Sequence, residues 1–356
     1  MQVITDALLL GDKEDPVTIW QIEGSVATAV AVAKPELVAS TIAVPDIVQD
    51  LTKDSQRYLY VGGLHAHGHH GHMLIEGLSR CHALFDASVM SSVDCLVISN
   101  LQNISSAPAS QRNHRLNPIS DVDESSLDHI ALRWIITMLK AFPLARSKSL
   151  LYIRNTTRFA QLSVPALKFQ LFRHYKPEDD EVLKLGAVFE QIRQHYHERC
   201  PANKLLYLSR SGSLPRYLQT AKSGHKVMPW ERFCINEPEL ESALAAIGYE
   251  IIFMEKLSLV EQIRLMGKAR LVVGFEGTNL HNSVFMRTGM IVGLPSPRGA
   301  STIGQDNLNL CNPQIPYVQL VGQGAILPGL DDYAESSYRI NIPHVINQLQ
   351  ILAKES

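Results

Sequence analysis

Short apolar runs alternate along the chain with amphipathic segments, and their spacing predicts strands and helices in turn. In the first half, continuous apolar runs predict buried strands at 58–61, 95–99 and 149–153. Apolar residues at helical spacing predict helices at about 71–84, 127–141 and 179–199. Pro201 stops the last of these helices, so we place a domain boundary there. Residues 1–57 mix short β-branched runs with loops and give no clear pattern.

The second half repeats a regular alternation of strand and helix, which is typical of a parallel sheet. The predicted strands span 205–208, 249–254, 270–273 and 290–293. The predicted helices span 237–247, 258–269 and 278–286, and a capping box of Ser258 and Glu261 begins the second. A last amphipathic helix at 342–353 is expected to pack across the domain junction. We therefore predict an α/β protein with domains at 1–200 and 201–341 and a C-terminal helix at 342–356.

The size and composition of the chain suit two domains that each bury a core. It has 356 residues, of which 46% are hydrophobic, and a formal net charge of −2. Because no basic block stands out, the sequence argues against a dedicated nucleic-acid binder. The N-terminal apolar run lacks the basic start of a secretory signal, and no stretch approaches the roughly 20 apolar residues of a membrane helix. Five scattered cysteines fit free thiols in a reducing compartment, so we expect a cytoplasmic location.

Two glycines, Gly274 and Gly277, lie between a predicted buried strand and a predicted helix start. Backbone N–H groups at such a turn point outward, and glycine lets an anion approach closely. Ligands of open α/β sheets bind beyond the carboxyl ends of the strands, so the side chains that follow are expected to face a crevice. These side chains are Glu276, Thr278, Asn279 and Asn282. Taken alone, a tight turn with no binding role explains the two glycines equally well.

A second loop of the same predicted sheet carries two arginines. Arg210 follows the strand at 205–208, and Gly212 and Arg216 come shortly after it. Guanidinium groups match phosphate oxygens with paired hydrogen bonds, so this loop suits a diphosphate. Without the neighbouring glycine turn, a solvated surface loop would be the preferred interpretation.

Several motifs occur in the order that one known family shows. They are the run at 205–210 that ends in Ser209-Arg210, Arg232 with Asn236-Glu237, Glu261-Gln262, and the run at 272–282 with Phe285-Met286. In this order the sequence resembles glycosyltransferase family 61, whose bacterial members are often described as capsular polysaccharide biosynthesis proteins. Glu276, Thr278 and Asn279 stand where the family usually has His, Ala and Gly. The resemblance covers about residues 58–300 and is densest at 204–293.

The resemblance implies a GT-B fold, in which two Rossmann-like domains face each other across a cleft. It also implies an inverting transfer from a nucleotide sugar, with a UDP-sugar as the expected donor, to a saccharide or glycan acceptor in cell-surface polysaccharide biosynthesis. In the C-terminal domain, Asn236 and Glu237 would join Arg210, Arg216 and the glycine turn in the donor site. No cofactor and no metal are expected. Peripheral membrane association with the polysaccharide assembly machinery is a further expectation.

A cluster of histidines lies between the first predicted strand and the first predicted helix. It consists of His65, His67, His69, His70 and His72. The spacing is similar to the His-x-His-x-Asp-His turn of metallo-β-lactamase-like hydrolases, but His69 stands in the place of their metal-binding Asp. The downstream ligands of such a site are not evident. A polar turn with incidental histidines explains His65 and His67 at least as well as a function does.

His72 and Glu76 are the candidate general bases. The resemblance places His72 at the start of a helix, and Glu76 follows one turn later on the same face. An inverting transfer needs a base for the acceptor proton, and a histidine titrates near neutral pH without help. A glutamate needs burial before it titrates in that range, so His72 is preferred.

Asp121 and Asp123 form an Asp-x-Asp sequence of the kind that holds a divalent metal in many other glycosyltransferases. They lie in a polar loop directly before a predicted helix, where N-capping explains acidic residues without chemistry. We therefore favour the capping interpretation over a metal site.

Other classes of function use the same fold and stay open at this point. A hydrolase or epimerase acting on nucleotide sugars would need the same diphosphate site. A non-catalytic binding protein would fit the departures at Glu276, Thr278 and Asn279. A metallohydrolase built on the histidine cluster is the third alternative.

Overall fold

The computed structural model divides the chain into two compact units, residues 1–192 and 193–356. The part of the chain that it describes comprises residues 1–9, 19–31, 41–43, 47, 49–64, 74, 77–100, 113–127, 130–153, 155–165, 173–213, 215, 233–294, 303–320, 326–328 and 337–355. Each unit contains a sheet with parallel strands, so the predicted α/β class is confirmed.

The first unit is built on one ten-stranded sheet. Its strands are β1 Gln2–Leu9, β2 Ile19–Glu23, β3 Val26–Ala31, β4 Thr41–Ala43, β5 Gln49–Leu51, β6 Tyr58–Leu64, β7 Cys95–Asn100, β8 His114–Leu116, β9 Ser149–Ile153 and β10 Thr157–Val164. The order across the sheet is β4-β3-β2-β1-β10-β6-β7-β9-β8, and β5 pairs with β10. Strands β10, β6, β7 and β9 run parallel, whereas β1 to β4 and β8 add antiparallel flanks.

The parallel centre of this sheet contains the three strands that the apolar runs predict. Parallel strands are covered on both faces, so their sequences are continuously apolar. Every residue of β9 is buried, and Tyr60 of β6 and Val97 of β7 belong to the core of the unit. The antiparallel strands β1 to β4 lie in the region for which the sequence gives no clear pattern.

Three α-helices of the described chain begin in the first unit: α1 Ala87–Ser91, α2 Ile130–Lys140 and α3 Asp180–Tyr196. Short 3₁₀ helices cover Ser79–Phe85, Ile119–Asp121 and Glu124–Ser126. Helices α2 and α3 confirm the helices predicted at 127–141 and 179–199, and both are shorter than predicted. Of the predicted helix at 71–84, the described end is a 3₁₀ helix, and residues 71–73, 75 and 76 lie outside the described chain.

The second unit contains a parallel sheet and a smaller mixed sheet. Its strands are β11 Lys204–Leu208, β12 Phe233–Cys234, β13 Glu250–Ile252, β14 Ala269–Phe275, β15 Met290–Leu294, β16 Tyr317–Gln319, β17 Ile326–Pro328 and β18 Ser337–Ile340. The five-stranded parallel sheet has the order β13-β11-β14-β15-β16. The small sheet has the order β12-β18-β17. Every predicted strand of this half is therefore confirmed, with ends that shift by up to two residues.

The helices of the second unit cover its sheet and complete its core. They are α4 Glu237–Ala246, α5 Leu259–Met266, α6 Thr278–His281, α7 Ile303–Leu310 and α8 Ile342–Glu355, with 3₁₀ helices at Ser211–Ser213, Met254–Lys256 and Asn282–Phe285. The predicted capping box before α5 is present. Leu240 and Leu244 of α4 share one apolar cluster with Val345 and Leu349 of α8. The role of α8 at a domain junction stays a prediction. No helix in the described ranges is both long and apolar enough to cross a membrane.

Candidate functional site

The strand order of the five-stranded sheet reverses between β11 and β14. From β11 the chain moves outward to β13, and from β14 it moves outward on the other side through β15 to β16. Such a switch point opens a crevice beyond the carboxyl ends of the strands, and ligands of open α/β sheets bind there. The loops after β11 and β14 flank this point, and what we call the switch-point site lies there. It consists of Ser209, Arg210, Glu276, Gly277 and Asn279, which follow these two strands, and of Glu237 at the start of α4.

The structure brings the two predicted donor-binding loops into contact. The side-chain amide of Asn279 donates to the carbonyl oxygen of Ser209 over 3.3 Å. Guanidinium nitrogen Nη1 of Arg210 lies 3.9 Å from the position that a β-carbon on Gly277 would occupy. Arg210 is half-buried, so its guanidinium is placed at the turn while it keeps access to a ligand. A cation and a side-chain-free backbone turn thus lie next to each other, as a diphosphate requires.

Glu237 lies beneath this loop and is only 3% exposed. Its Oε1 accepts hydrogen bonds from the Tyr207 hydroxyl and from the backbone N–H of Arg210, each over 2.8 Å. Burial raises the pKa of Glu237, and the two hydrogen bonds and the charge of Arg210 lower it by less. Burial and the neighbouring carboxyl also raise the pKa of Tyr207, so Tyr207 stays a hydroxyl donor. Glu237 therefore fixes the backbone of Arg210 from below.

Ser209 anchors the start of the same loop and is fully buried. Its hydroxyl donates to the carboxylate of Glu241, which lies one helical turn after Glu237 on α4. The backbone N–H of Ser211 donates back to the Ser209 hydroxyl oxygen over 3.0 Å. Two carboxylates of one helix thus hold the loop, so its shape depends on α4.

Glu276 lies on the other side of the switch point and is 6% exposed. Its Oε1 accepts hydrogen bonds from the Tyr317 hydroxyl over 2.6 Å and from the Gln319 amide over 3.3 Å. Tyr317 and Gln319 belong to β16, so β15 lies between them and β14, the strand that ends one residue before Glu276. Glu276 is thus a buried carboxyl that two neutral donors hold.

The remaining predicted donor-site residues have mainly supporting contacts. Gly274 lies inside β14 rather than in the turn, and a β-carbon there would sit 3.4 Å from Leu208. The Asn236 amide donates to the Ile340 carbonyl and accepts from the Ile340 N–H, each over 2.9 Å. The Asn282 amide donates to the Asn279 carbonyl over 3.3 Å. Asn236 and Asn282 therefore hold the local backbone, at the start of α4 and in the turn respectively.

The helix after Gly277 differs from the prediction. Gly277 itself has a φ of +134°, a conformation that glycine adopts easily. The predicted single helix at 278–286 is one α-helical turn, α6, followed by the 3₁₀ helix Asn282–Phe285. Thr278, the half-buried first residue, begins a run of Asn, His and Ser residues that compete with helical hydrogen bonding. Because so few peptide dipoles are aligned, the charge of Arg210 matters more here than a helix dipole.

The model of the family described as Glycosyltransferase 61 matches residues 70–293, which include every residue of the switch-point site. The chain belongs to glycosyltransferase family 61. As a glycosyltransferase, it uses a sugar donor and a glycan acceptor. No curated protein matches the sequence.

Several predicted residues of this family 61 glycosyltransferase lie outside the described chain. They are the candidate bases His72 and Glu76, the second arginine Arg216, and the histidines His65, His67, His69 and His70. Within the described ranges, no cluster of three or more His, Cys, Asp or Glu side chains has the arrangement of a metal site.

Within the Asp-x-Asp sequence, Asp123 has the capping role that the sequence favours. Asp123 accepts a hydrogen bond from the backbone N–H of Ser125 over 3.0 Å, at the start of the 3₁₀ helix Glu124–Ser126. Asp121 ends the preceding 3₁₀ helix and accepts from the Ser120 hydroxyl over 2.8 Å. The contacts of both acids are thus local.

Four residues that shape the site were not singled out in the sequence. They are Tyr207, Glu241, Tyr317 and Gln319. Glu241 follows Glu237 by four residues, so a shared helix face was a usable signal. Tyr317 and Gln319 lie in a three-residue strand that is too short to show a period. Their links to Glu276 span 41 and 43 residues of sequence and depend on strand order.

Proposed function

We propose that this family 61 protein is an inverting glycosyltransferase that moves a sugar from a nucleotide sugar, a UDP-sugar, to a saccharide or glycan acceptor. The two compact units would be the two Rossmann-like domains of a GT-B arrangement. Family membership supports the transfer reaction. The parallel sheet of the second unit supports the nucleotide-binding half, because its strand order is that of a doubly wound fold with one switch point.

The donor diphosphate would bind at the switch-point site. The observation that carries this assignment is the meeting of the two loops, with the Arg210 guanidinium beside Gly277 and Asn279 bonded to Ser209. A diphosphate carries its charge on oxygens that a guanidinium pairs with directly. Arg216 would add a second cation from the same loop. Thr278 and Asn279 present hydroxyl and amide groups next to the turn and would complete the pocket.

The reaction needs one bond made and one broken at the anomeric carbon. The acceptor oxygen attacks that carbon from the face opposite the diphosphate, its proton passes to a base, and the bond to the diphosphate oxygen breaks with its electron pair. Arg210 stabilises the charge that the departing diphosphate gains. His72 is the proposed base, with Glu76 as the alternative on the same helix face. Inversion follows because attack and departure occur on opposite faces.

The reaction is proposed to be independent of a metal ion, since arginines supply positive charge at the leaving group. We also propose that the enzyme works in the cytoplasm in cell-surface polysaccharide biosynthesis, with peripheral attachment to the membrane-bound assembly machinery. The free thiols of Cys81, Cys95, Cys234 and Cys311 are buried, which suits a reducing compartment.

Product analysis tests this function directly. The purified protein is incubated with a panel of UDP-sugars, with and without oligosaccharide acceptors, in the presence and absence of a chelator. We expect glycosylated acceptor and UDP, little sugar release without acceptor, and most of the activity retained after chelation. Release of free sugar at the same rate with and without acceptor would favour a hydrolase. No turnover of any nucleotide sugar, together with tight UDP binding, would favour a binding protein.

A further inference from the structure

Tyr317 reaches Glu276 across an intervening strand. The strand order places β15 between β14 and β16, and Gly293 of β15 is paired with Gly274 on one side and Gln319 on the other. A β-carbon on Gly293 would lie 2.4 Å from the Tyr317 hydroxyl oxygen and 3.0 Å from the tyrosine ring. Only glycine leaves room for the ring at this position. The contact between Tyr317 and Glu276 therefore depends on three strands at once.

Two hydrogen bonds hold the carboxyl group of Glu276 through one of its oxygens. Tyr317 and Gln319 both donate to the same oxygen, Oε1, which must act as an acceptor for both. Burial raises the pKa of the Tyr317 hydroxyl, and the neighbouring Glu276 raises it further, so Tyr317 keeps its proton and stays a donor. Two neutral groups consequently orient the carboxyl group of Glu276.

An accepting oxygen in this position does not suit a phosphate, because phosphate oxygens are acceptors as well. Its natural ligands are hydroxyl groups, which donate hydrogen bonds to it. Glu276 directly precedes Gly277, and Gly277 lies beside the Arg210 guanidinium. A nucleotide sugar carries hydroxyl groups on both sides of its diphosphate, on the ribose and on the sugar. The part of the donor that meets Glu276 must be one of these two rings.

We propose that Tyr317 is a positioning residue that, with Gln319 and across Gly293, holds the Glu276 carboxylate to accept hydrogen bonds from neighbouring hydroxyl groups of the donor. This inference rests on the proposed function, since it takes the nucleotide sugar as the ligand of the switch-point site. The shared chemistry is a pair of adjacent hydroxyls, carried either by the ribose or by the transferred sugar. Tyr317 and Gln319 thus set donor specificity through Glu276.

Titration calorimetry with Tyr317→Phe tests the proposal, because this change removes one hydroxyl and keeps the ring. The probes are UDP, 2′,3′-dideoxy-UDP and the UDP-sugars of the product assay. If Glu276 binds the ribose, the wild type binds UDP about tenfold more tightly than dideoxy-UDP, and this ratio falls toward one in the variant. If Glu276 binds the sugar, the ratio of UDP-sugar to UDP affinity falls instead, while UDP and dideoxy-UDP bind alike.

Tyr249→Phe is the matched control. The Tyr249 hydroxyl is buried in the same unit and has no hydrogen-bond partner among the described residues, and it precedes the amino end of β13, away from the switch point. This control should keep both affinity ratios. A merely structural role of Tyr317 would lower the melting temperature of Tyr317→Phe and leave both ratios at their wild-type values, and that result would overturn the proposal.

Glu276→Gln provides a second route if Tyr317→Phe folds poorly. The amide keeps the shape of the side chain and removes its charge, so the same ratio should fall as in Tyr317→Phe. Unchanged ratios in Glu276→Gln would also overturn the proposal. Failure of the proposed function looks different, because the wild type would then bind neither UDP nor any UDP-sugar, and the present inference would fall with it.

Discussion

The two sides of the switch-point site each bury a glutamate, yet the two carboxyls have different surroundings. On one side, Glu237 accepts from the backbone N–H of Arg210 and lies beneath a cation. On the other, Glu276 accepts from the side chains of Tyr317 and Gln319, which are both neutral. In the function proposed above, the first carboxyl supports a residue that binds the donor, whereas the second binds the donor directly.

This difference shows that residue type and burial do not determine the role of a buried acid. The direction in which its hydrogen bonds point is more informative. Glu237 fixes the loop that presents Arg210, so this side is suited to an anion. Glu276 presents an acceptor that neutral donors hold in place, so this side is suited to hydroxyl groups. Together the two sides match a molecule with a diphosphate flanked by hydroxyl-bearing rings.

The largest effect is expected from a residue that belongs to neither side. Both sides of the switch-point site are assigned to the donor, so a residue outside this site has to accept the proton of the acceptor hydroxyl. His72 is the proposed base. His72→Ala should lower kcat by about 10²–10⁴ and leave UDP affinity nearly unchanged. Steady-state kinetics and calorimetry on the same preparation measure the two quantities.

Glu76→Gln is the control for this assignment. If Glu76→Gln abolishes turnover and His72→Ala does not, the two roles are reversed. A parallel loss of UDP affinity in His72→Ala would instead place His72 at the donor and weaken the division between donor binding and proton transfer.

A smaller effect is expected from adding one methyl group on the Glu276 side of the switch-point site. Gly293→Ala forces the new β-carbon against Tyr317, so we expect a loss of about 1–3 kcal/mol in the free energy of unfolding. Gly274→Ala is a matched control in the paired strand, because its β-carbon would make ordinary contacts with Leu208 and Leu280 at 3.4 and 3.5 Å. Urea denaturation compares the two variants. Equal losses of stability in Gly293→Ala and Gly274→Ala would show that packing against Tyr317 does not require a glycine at position 293.

The smallest effect is a pH-dependent change in stability on the Arg210 side of the site, where Glu237 is buried. Burial raises the pKa of Glu237, so its stabilising contribution is present in full below the pKa of the unfolded chain and is lost as pH rises through the folded pKa. Glu237→Gln should therefore gain stability relative to the wild type between about pH 4 and about pH 7. Denaturant unfolding at the two pH values measures this difference.

Glu261→Gln is the control of opposite sign. Hydrogen bonds from Ser258 lower the pKa of Glu261, so its contribution is present above the pKa of the unfolded chain and is lost as pH falls. Glu261→Gln should therefore lose stability relative to the wild type as the pH rises from about 4 to about 7. If both variants changed in the same direction, the buried environment of Glu237 would not be the cause.

The parallel strands and the polar loops between them could be predicted from local sequence. Continuous apolar runs mark β7, β9, β11 and β14 because both faces of a parallel strand are covered. Arg210, Glu276 and Gly277 could be found because they directly follow such runs. The contacts of the two carboxyls could not, because each joins residues 27 or more apart in sequence. Those contacts follow from strand order, which local periodicity does not encode.

The antiparallel flank of the first unit was missed for a different reason. Strands β1 to β4 are short or half-exposed, so apolar and polar residues do not form the continuous runs that reveal a buried strand. Strand β10 alternates between buried and exposed positions, and a period of two over Phe159, Leu162 and Val164 is broken by two consecutive exposed residues. Pairing with β1 and β6 stabilises it instead.

The central claim is that Arg210 binds the donor diphosphate at the switch point, and calorimetry with UDP and uridine tests it most directly. Arg210→Ala removes the guanidinium beside Gly277 and keeps the backbone N–H that bonds to Glu237. We predict that UDP affinity falls by about 1.5–3 kcal/mol, or about 10- to 150-fold, while uridine affinity stays nearly unchanged. Unchanged UDP affinity in a variant that melts like the wild type would contradict the claim and remove the diphosphate from this site.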